Sequence, residues 1–442
     1  MTPKFFHLLP LGVCVLNAFL CVSLLCSQTL APEMRIWTST DGRTIQAKLT
    51  GVEGDQAVFE LSNGQTAKVP VLRLSPADQT VVQQSAGGAL KAVPANDNPV
   101  AASGKTPPEK RVWPVIVEVP SSAVDIKAVE ENAAEHKYVY ESATFQFSSQ
   151  DKLAGSVMKE VARTFEATHS LVQALPWGID ATPPPDLGFY QAKLYVNRDE
   201  YIKDGGPKNS GGVYFSSDRI FRIPFESMGL EMRGKTWFKK PSYKEATLVH
   251  EVTHQMMNDF LPFLPTWVIE GTAEYTEAIP YNAGKFLAGA HERAVKEYIK
   301  HWTDHKVLTN DFRPAGDHMV MKHAQWVKLS ETPHAQWLLY YQSYMLVYYF
   351  CHLDGDCKGT RFLKYLDAVA KARDDWATFF KNPAVKKGIG GRFSYPANLP
   401  LPEAKRSEEF GMEKLGILFD GRSPSQFDAE VKAGFKKIGV KL

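Results

Sequence analysis

The chain has 442 residues, with 51 Lys and Arg against 49 Asp and Glu, and a formal net charge of +2. Acidic and basic residues are interspersed, so the sequence lacks the basic patch by which proteins bind nucleic acid. After residue 27, no stretch is apolar enough to span a bilayer. The composition therefore argues against a nucleic-acid partner and confines any membrane contact to the N-terminal segment.

The N-terminal segment, residues 1–27, has the pattern of a secretory signal. Lys4 and His7 precede an apolar run that extends from Leu8 to Leu25. The same run is long enough to remain as an uncleaved membrane anchor. We therefore expect an exported protein, which contacts the membrane only if this segment is retained.

Residues 34–83 show the period of two that is typical of short β-strands. Apolar and polar residues alternate from Thr44 to Leu49 and from Gln56 to Leu61, and Asn63-Gly64 is a strong hairpin signal. A run of such strands predicts a small β-barrel. Residues 84–112, rich in Ala, Gly, Pro, Asn and Ser, predict a flexible linker and a domain boundary.

The predicted barrel also resembles a known module. The matching residues are Arg35-Ile36-Trp37-Thr38, Asp41-Gly42, Val69-Pro70 and Leu72-Arg73-Leu74-Ser75-Pro76-Ala77-Asp78-Gln79. They resemble the SLA1 homology 1 domain, an SH3-like module found on many exported bacterial proteins. The resemblance implies a binding or tethering role toward an envelope or protein ligand, although no residue identifies that ligand. It also implies a bacterial protein located in the periplasm or outside the cell.

The remaining residues, 113–442, are long enough for one large or two smaller cores, and we take them as a second and larger domain. Alternation from Tyr138 to Phe147 predicts a strand, and apolar spacing from Ser149 to Leu175 predicts a helix. A second strand is predicted from Ala192 to Asn197, and one or two more from Val213 to Phe225. The chain beyond these elements is mainly helical in its pattern.

A His-Glu-x-x-His motif is the feature around which the larger domain is organised. Ser242 and Glu245 match a capping box, which predicts a helix that starts at Tyr243. His250 and His254 lie one turn apart on one face of this helix. The opposite face is apolar and consists of Leu248, Val249, Val252 and Met256. Two imidazoles at this spacing supply two corners of a tetrahedral zinc site.

Glu251 lies between the two histidines in sequence. It projects about 100° away from each neighbouring residue around the helix. From there its carboxylate can reach a water on the metal but not the metal itself. The sequence therefore predicts that Glu251 is a general base.

The third metal ligand is expected from a second helix, predicted from Thr266 to Ala278. Thr266 is its expected N-cap, and Pro280 stops it. Glu270 and Glu274 share one face at i and i+4. One carboxylate completes a two-His, one-Glu site with an open fourth position, and the other accepts a ligand imidazole N–H. The residues alone leave open which carboxylate has which role.

These two helices resemble the gluzincin metallopeptidases, most closely the bacterial peptidase MA-like group. The resemblance is carried by His250-Glu251-Val252-Thr253-His254 and by Trp267-Val268-Ile269-Glu270-Gly271-Thr272-Ala273-Glu274-Tyr275. It implies one zinc per chain, Glu270 as the third ligand, and Glu274 as the residue that orients a ligand histidine. The spacing between His254 and Glu270 is shorter than in the aminopeptidase and thermolysin branches.

The resemblance also implies a fold. The expected class is α+β, with a zincin-like metallopeptidase domain after the small SH3-like barrel. Residues 113–260 would form a mixed sheet plus the active-site helix, and residues 261–442 a mainly helical part. In gluzincins an edge strand beside the metal binds substrate backbone, and Val213 to Phe215 is the candidate here. The alternative is that this segment is an ordinary core strand.

A tyrosine from the helical part is expected at the site. In related aminopeptidases a tyrosine donates a hydrogen bond to the oxyanion of the tetrahedral intermediate. The segment from Trp326 to His352 contains several tyrosines, of which Tyr341 is the candidate. The alternative is that Tyr341 packs in the core, as most rings of this segment are expected to do.

The cysteine pattern is consistent with export. Three of the five cysteines, Cys14, Cys21 and Cys26, lie in the predicted signal. The other two, Cys351 and Cys357, flank a short turn, which predicts a disulfide in an exported chain. The alternative is a free pair.

Two functions of different classes follow from these patterns. The first is an exported zinc peptidase that cleaves a peptide or protein substrate, with Glu251 as general base. The second is a non-catalytic envelope binding or scaffold protein, with a structural or vestigial metal site. A zinc hydrolase that acts on a non-protein bond is an intermediate possibility. Glu251 favours catalysis, because a structural site has no use for a base beside its metal.

Overall fold

The computed structural model describes residues 34–38, 44–53, 56–74, 78–79, 81–82, 106–241, 243–387 and 393–442. The chain divides into two compact units, Met1–Asp97 and Asn98–Leu442. Helices and strands are mixed, which confirms the α+β class. The predicted signal and most of the predicted linker lie outside the described residues. Among the helices that are described, none is long and apolar enough to cross a membrane.

The smaller unit contains one antiparallel sheet of four strands in chain order. The strands are β1 (Arg35–Thr38), β2 (Thr44–Glu53), β3 (Gln56–Leu61) and β4 (Thr66–Pro70). Trp37 and Phe59 pack against each other inside the sheet, with ring centroids 4.8 Å apart. The indole nitrogen of Trp37 donates to the carbonyl of Ala47 at 2.8 Å. The predicted alternation of apolar and polar residues therefore builds a sheet with one buried face.

The larger unit has thirteen described strands and twelve described α-helices. The strands are β5 (Val117–Glu118), β6 (Lys127–Asn132), β7 (Lys137–Glu141), β8 (Phe145–Ser149), β9 (Tyr190–Tyr195), β10 (Val213–Phe215), β11 (Ile220–Pro224), β12 (Leu230–Arg233), β13 (Thr236–Lys239), β14 (Tyr281–Asn282), β15 (Lys285–Phe286), β16 (Lys386–Lys387) and β17 (Phe393–Ser394). The helices are α1 (Gly155–Ala174), α2 (Arg198–Lys203), α3 (Ala246–Met256), α4 (Thr266–Ala278), α5 (His291–Asp304), α6 (Ala315–Met319), α7 (His323–Leu329), α8 (Pro333–His352), α9 (Thr360–Phe380), α10 (Glu408–Glu413), α11 (Gly416–Phe419) and α12 (Pro424–Lys437).

A mixed sheet of six strands forms the first half of this unit, in the order β10-β11-β9-β8-β7-β6. The pairs β8–β9 and β9–β11 are parallel, and the other pairs are antiparallel. Helix α1 connects the parallel strands β8 and β9, and Phe165 packs on Phe145 and Phe147 of β8. Strand β10 lies at one edge of the sheet, where the predicted edge segment was expected.

The strand predicted from Tyr138 to Phe147 is two strands, because the chain turns between β7 and β8. The buried carboxylate of Glu166 stabilises this turn. It accepts hydrogen bonds from the Ser142 hydroxyl at 2.7 Å and from the Thr144 backbone N–H at 3.0 Å. Alternation continues through the turn in the sequence, so the pattern alone does not reveal the break.

Residues 106–112, which composition assigned to the linker, pack on the larger unit. Arg111 donates from one guanidinium nitrogen to both carboxylate oxygens of Asp367, each at 2.8 Å. The Arg111 side chain is only 7% exposed. Two residues later, the indole of Trp113 donates to the Lys358 carbonyl at 2.9 Å. The structured part of this unit therefore begins before the predicted boundary at Trp113.

Helix α4 packs closely against α8, and Gly271 is at the point of closest approach. A Cβ atom built at Gly271 would lie 2.5 Å from the Ser343 carbonyl oxygen and 2.7 Å from a methyl group of Val347. Backbone atoms cannot move aside as a side-chain end can. Glycine is therefore required here for packing.

We expect Gly271→Ala to destabilise the larger unit. Overpacking a close contact costs about 1–3 kcal/mol. The higher helix propensity of alanine offsets this cost by at most about 1 kcal/mol. Gly155→Ala is the matched control, because a Cβ there meets nothing within 4 Å. Urea denaturation should give a lower midpoint for Gly271→Ala than for Gly155→Ala, and equal midpoints would contradict the close approach of the two helices.

The predicted disulfide between Cys351 and Cys357 is wrong, since both cysteines are free. Cys351 lies near the end of α8 and is fully buried. Cys357 is exposed in the following turn, and its sulfur points toward the Leu353 carbonyl at 3.8 Å. The helix holds one thiol in the core while the turn carries the other to the surface.

Candidate metal centre

Helix α3 carries the His-Glu-x-x-His motif and begins at Ala246. The predicted start at Tyr243 is therefore wrong, and Ser242 of the predicted capping box lies outside the described residues. Glu245 takes the N-cap position without capping the helix through its side chain. Its carboxylate instead pairs with the Lys239 ammonium group at 2.5 Å, in a nearly buried ion pair. A charged partner on β13 thus replaces the expected local hydrogen bonds.

The two histidines project from α3 as the sequence predicts. Leu248, Val249, Val252 and Met256 are buried in the core. The rings of His250 and His254 lie 4.7 Å apart, with their planes at 83°. Their side chains are only 10% and 11% exposed. The helix therefore places both imidazoles side by side, where little of either side chain is exposed to solvent.

Glu270 on α4 joins the two histidines. Its Oε2 atom lies 3.3 Å from Nε2 of His250 and 3.4 Å from Nε2 of His254. In a tetrahedral zinc site with bonds of about 2.0–2.1 Å, two ligand atoms lie about 3.4 Å apart. Two imidazole nitrogens and one carboxylate oxygen are also ligands that zinc prefers. These three residues therefore fit a zinc ion in both spacing and chemistry.

Helix α4 spans Thr266–Ala278, so its predicted end is confirmed. The predicted N-cap is wrong, because Pro265 occupies that position and Thr266 is the first helical residue. The Thr266 hydroxyl lies 3.2 Å from Nδ1 of His323. Pro265 ends the preceding turn, and the helix starts directly after it.

Glu274 lies on the other side of His250 from Glu270. Its Oε1 atom is 3.6 Å from Nδ1 of His250, while its Oε2 accepts a hydrogen bond from the Tyr298 hydroxyl on α5. The geometry thus brings Glu270 to both histidines and Glu274 to one of them only. Of the two roles that the sequence left open, Glu270 is suited to the third ligand.

Glu277 is a site residue that the sequence analysis missed. Its Oε2 atom lies 3.1 Å from Nδ1 of His250, closer than Glu274. Glu277 follows Glu270 by seven residues and Glu274 by three, so the three carboxylates share one face of α4. That spacing is the signal that could have identified it.

The electrostatic setting favours a bound cation. Burial raises the pKa of Glu270, but His254 and His250 lower it further, so its pKa lies below the usual value and it is ionised at neutral pH. Burial together with the neighbouring charge of Glu277 raises the pKa of Glu274 to about 8. Burial also raises the pKa of Glu251. Glu274 is therefore largely protonated at pH 7 in the metal-free chain, and the ionised Glu270 is the carboxylate that attracts a divalent cation here.

Glu251 lies beside the three candidate ligands and faces strand β10. Its Oε2 atom accepts a hydrogen bond from the Tyr214 backbone N–H at 2.9 Å. Tyr214 is the middle residue of β10, the edge strand of the sheet. The carboxylate of the candidate base is therefore positioned by the strand that borders the site.

Tyr341 is not brought to the site. It is fully buried, and its ring packs on Phe312 and Tyr298 with centroid distances of 4.8 and 5.6 Å. Its hydroxyl has no hydrogen-bond partner among the described residues. Instead, Tyr340 stacks on His250 with a centroid distance of 6.1 Å and planes at 29°. Helix α8 is apolar around most of its surface, so periodicity could not select the tyrosine that stacks on His250.

The assignment of this centre rests on the chain's own residues. Comparisons with protein-family models, with curated proteins and with solved structures found no match to the chain. What remains is the geometry, in which two helices and one strand bring together His250, His254, Glu270 and Glu251.

Proposed function

We propose that the protein is an exported, zinc-dependent peptidase of the gluzincin type. The observation that supports this proposal most strongly is the meeting of His250 Nε2, His254 Nε2 and Glu270 Oε2 at tetrahedral spacing. A structural zinc site normally has four protein ligands, whereas this group offers three and leaves a position open. An open position beside a carboxylate that is not a ligand is the arrangement used for hydrolysis.

Each residue then has a distinct task. His250, His254 and Glu270 would hold the zinc ion, which would supply Lewis acidity for peptide hydrolysis. Glu251 accepts the proton of the attacking water and later returns it to the leaving amine. The raised pKa of Glu251 suits both steps, because a carboxyl group with a pKa nearer neutrality both takes up and releases a proton readily.

The substrate class is proposed from strand β10. An extended peptide can add to an exposed sheet edge through backbone hydrogen bonds. Strand β10 is such an edge, and Tyr214 at its centre contacts the candidate base. A peptide along this strand would place its backbone next to Glu251.

The smaller unit is proposed as an SH3-like module that binds an envelope or protein ligand. Four antiparallel strands around a buried Trp37 support this proposal. We also propose that the protein is exported to the bacterial periplasm or beyond the cell, which the signal-like pattern of residues 1–27 supports.

The proposed activity can be tested with the full chain and a peptide library read by mass spectrometry. Cleavage should occur with zinc, stop when a chelator removes it, and return when zinc is restored. Absence of cleavage with zinc bound would favour the non-catalytic alternative.

Tyr340→Phe is expected to slow hydrolysis without loss of zinc. The Tyr340 ring stacks on His250, and we propose that its hydroxyl donates to the oxyanion of the tetrahedral intermediate. Loss of one such donor lowers kcat by about 10²-fold. Tyr341→Phe is the matched control and should keep full activity, since its hydroxyl is buried away from the site. Slower hydrolysis by Tyr341→Phe, with full activity in Tyr340→Phe, would instead support Tyr341 as the oxyanion donor.

A further inference from the structure

The two ring nitrogens of His250 face different carboxylates. Nε2 faces Glu270, and Nδ1 faces the pair formed by Glu274 and Glu277. A neutral imidazole has one nitrogen with a free lone pair and one N–H. If Nε2 gives its lone pair to a metal, Nδ1 carries the proton and needs an acceptor.

Distance separates the two possible acceptors. Glu277 Oε2 lies 3.1 Å from Nδ1, within the usual range of an N–H···O hydrogen bond. Glu274 Oε1 lies 3.6 Å from the same atom, beyond that range. Of these two carboxylates, Glu277 is the one at hydrogen-bond distance from His250 Nδ1.

Glu274 is also held by another partner. The Tyr298 hydroxyl donates to its Oε2 atom. The Tyr298 ring is in turn packed between aromatic side chains of α8, with centroids 4.2 Å from Tyr344 and 5.6 Å from Tyr341. This packing fixes the hydroxyl, so Tyr298 holds one carboxylate oxygen of Glu274 toward α5.

We propose that Glu277 is the positioning residue for His250, and that it holds the imidazole with its proton on Nδ1. The proposal rests on the proposed function, because it assigns Nε2 to the metal. It replaces Glu274 in the role that the sequence analysis gave it. Glu274 instead links α4 to α5 through Tyr298.

An alternative would make His250, Glu274 and Glu277 ligands of a separate metal, since their ligand atoms also lie close together. That site would use Nδ1 as a ligand while Nε2 serves the first metal. The imidazole would then have to lose both ring protons, whereas a neutral imidazole keeps one. A hydrogen bond from Nδ1 to Glu277 needs no such ionisation.

The first test measures zinc affinity of the full chain by chelator competition. Loss of a carboxylate that orients a metal-binding histidine weakens metal affinity about 10–100-fold. We expect this loss in Glu277→Ala and partial recovery in Glu277→Gln, which keeps an acceptor oxygen. Glu274→Gln, which also keeps an acceptor for Tyr298, should stay near the wild-type affinity. Glu297→Ala on α5, a side chain 67% exposed, is the surface control.

The second test uses the metal-free chain, labelled with ¹⁵N-histidine. The proton on Nδ1 of His250 should give a downfield, slowly exchanging NMR signal in wild type and in Glu274→Gln. Glu277→Ala should lose this signal. Circular dichroism of each variant shows whether it has folded, and Glu277→Gln provides a fold-preserving substitute.

The outcomes separate this proposal from the proposed function. Zinc binding that is unchanged in Glu277→Ala but weakened in Glu274→Gln would overturn the proposal and leave the zinc site intact. Two zinc ions per wild-type chain, one of them lost in Glu277→Ala, would make Glu277 a ligand and also overturn it. If the wild type takes up no zinc, the proposed function fails, and the metal-free spectra alone decide whether Glu277 holds Nδ1.

Discussion

Glu251→Gln is expected to keep its zinc and to lose peptide hydrolysis by roughly 10²–10⁴-fold, the usual contribution of a general base. Glutamine has the same shape as glutamate, and its side-chain oxygen can still accept the Tyr214 N–H. It cannot take a proton from water. The change therefore removes the proton acceptor and preserves the hydrogen bond to Tyr214.

Three measurements on the same preparation make this result specific. Elemental analysis should find the wild-type zinc content in Glu251→Gln. Circular dichroism should be unchanged, and cleavage of the peptide library should be lost. Full activity in Glu251→Gln would contradict the assigned mechanism, because glutamine cannot accept the proton of the attacking water.

Glu270→Ala is expected to abolish both zinc binding and hydrolysis. Glu270 contacts Nε2 of both histidines, so its loss leaves a pair of imidazoles that cannot retain zinc against a chelator. The fold should survive, since Glu270 is on the site face of α4 and not in its core.

Glu274→Gln is the variant against which Glu270→Ala is compared. The sequence alone allowed either glutamate as the third ligand, but Glu274 approaches only Nδ1 of His250. We expect isothermal titration to show tight zinc binding for Glu274→Gln and none for Glu270→Ala. The reverse pattern would exchange the two roles.

The convergence of the candidate metal ligands was predictable because its signals are local. His250 and His254 are one turn apart on a helix whose other face is apolar, so their convergence follows from helix geometry alone. Glu270 is placed by a second helix whose bounds are marked by prolines. The class of fold and the edge position of Val213 to Phe215 also agree with the sequence-based expectation.

Other parts depend on tertiary contacts that the sequence does not display. Glu277 becomes a site residue only because α4 faces His250, and a charged residue near a helix end is usually solvated. Tyr340 and Tyr341 are adjacent in a helix that is apolar around most of its surface, so only the packed structure distinguishes them. Glu245 matched a capping pattern, but its carboxylate forms an ion pair with Lys239.

The cysteine prediction failed for a related reason. Short separation in sequence made a disulfide between Cys351 and Cys357 a reasonable expectation. Bond formation requires the two side chains to point toward each other. The end of α8 buries the first thiol, and the following turn exposes the second.

The most direct test of the account is the zinc content of the purified full chain, measured by elemental analysis beside His254→Ala. We expect one zinc per wild-type chain and none in the variant, since His254 Nε2 is one of three atoms that meet at the site. His305→Ala, a histidine exposed on the surface, should keep its zinc. A wild-type chain without zinc after supplementation, or equal zinc in wild type and His254→Ala, would contradict the metal centre on which the proposed function rests.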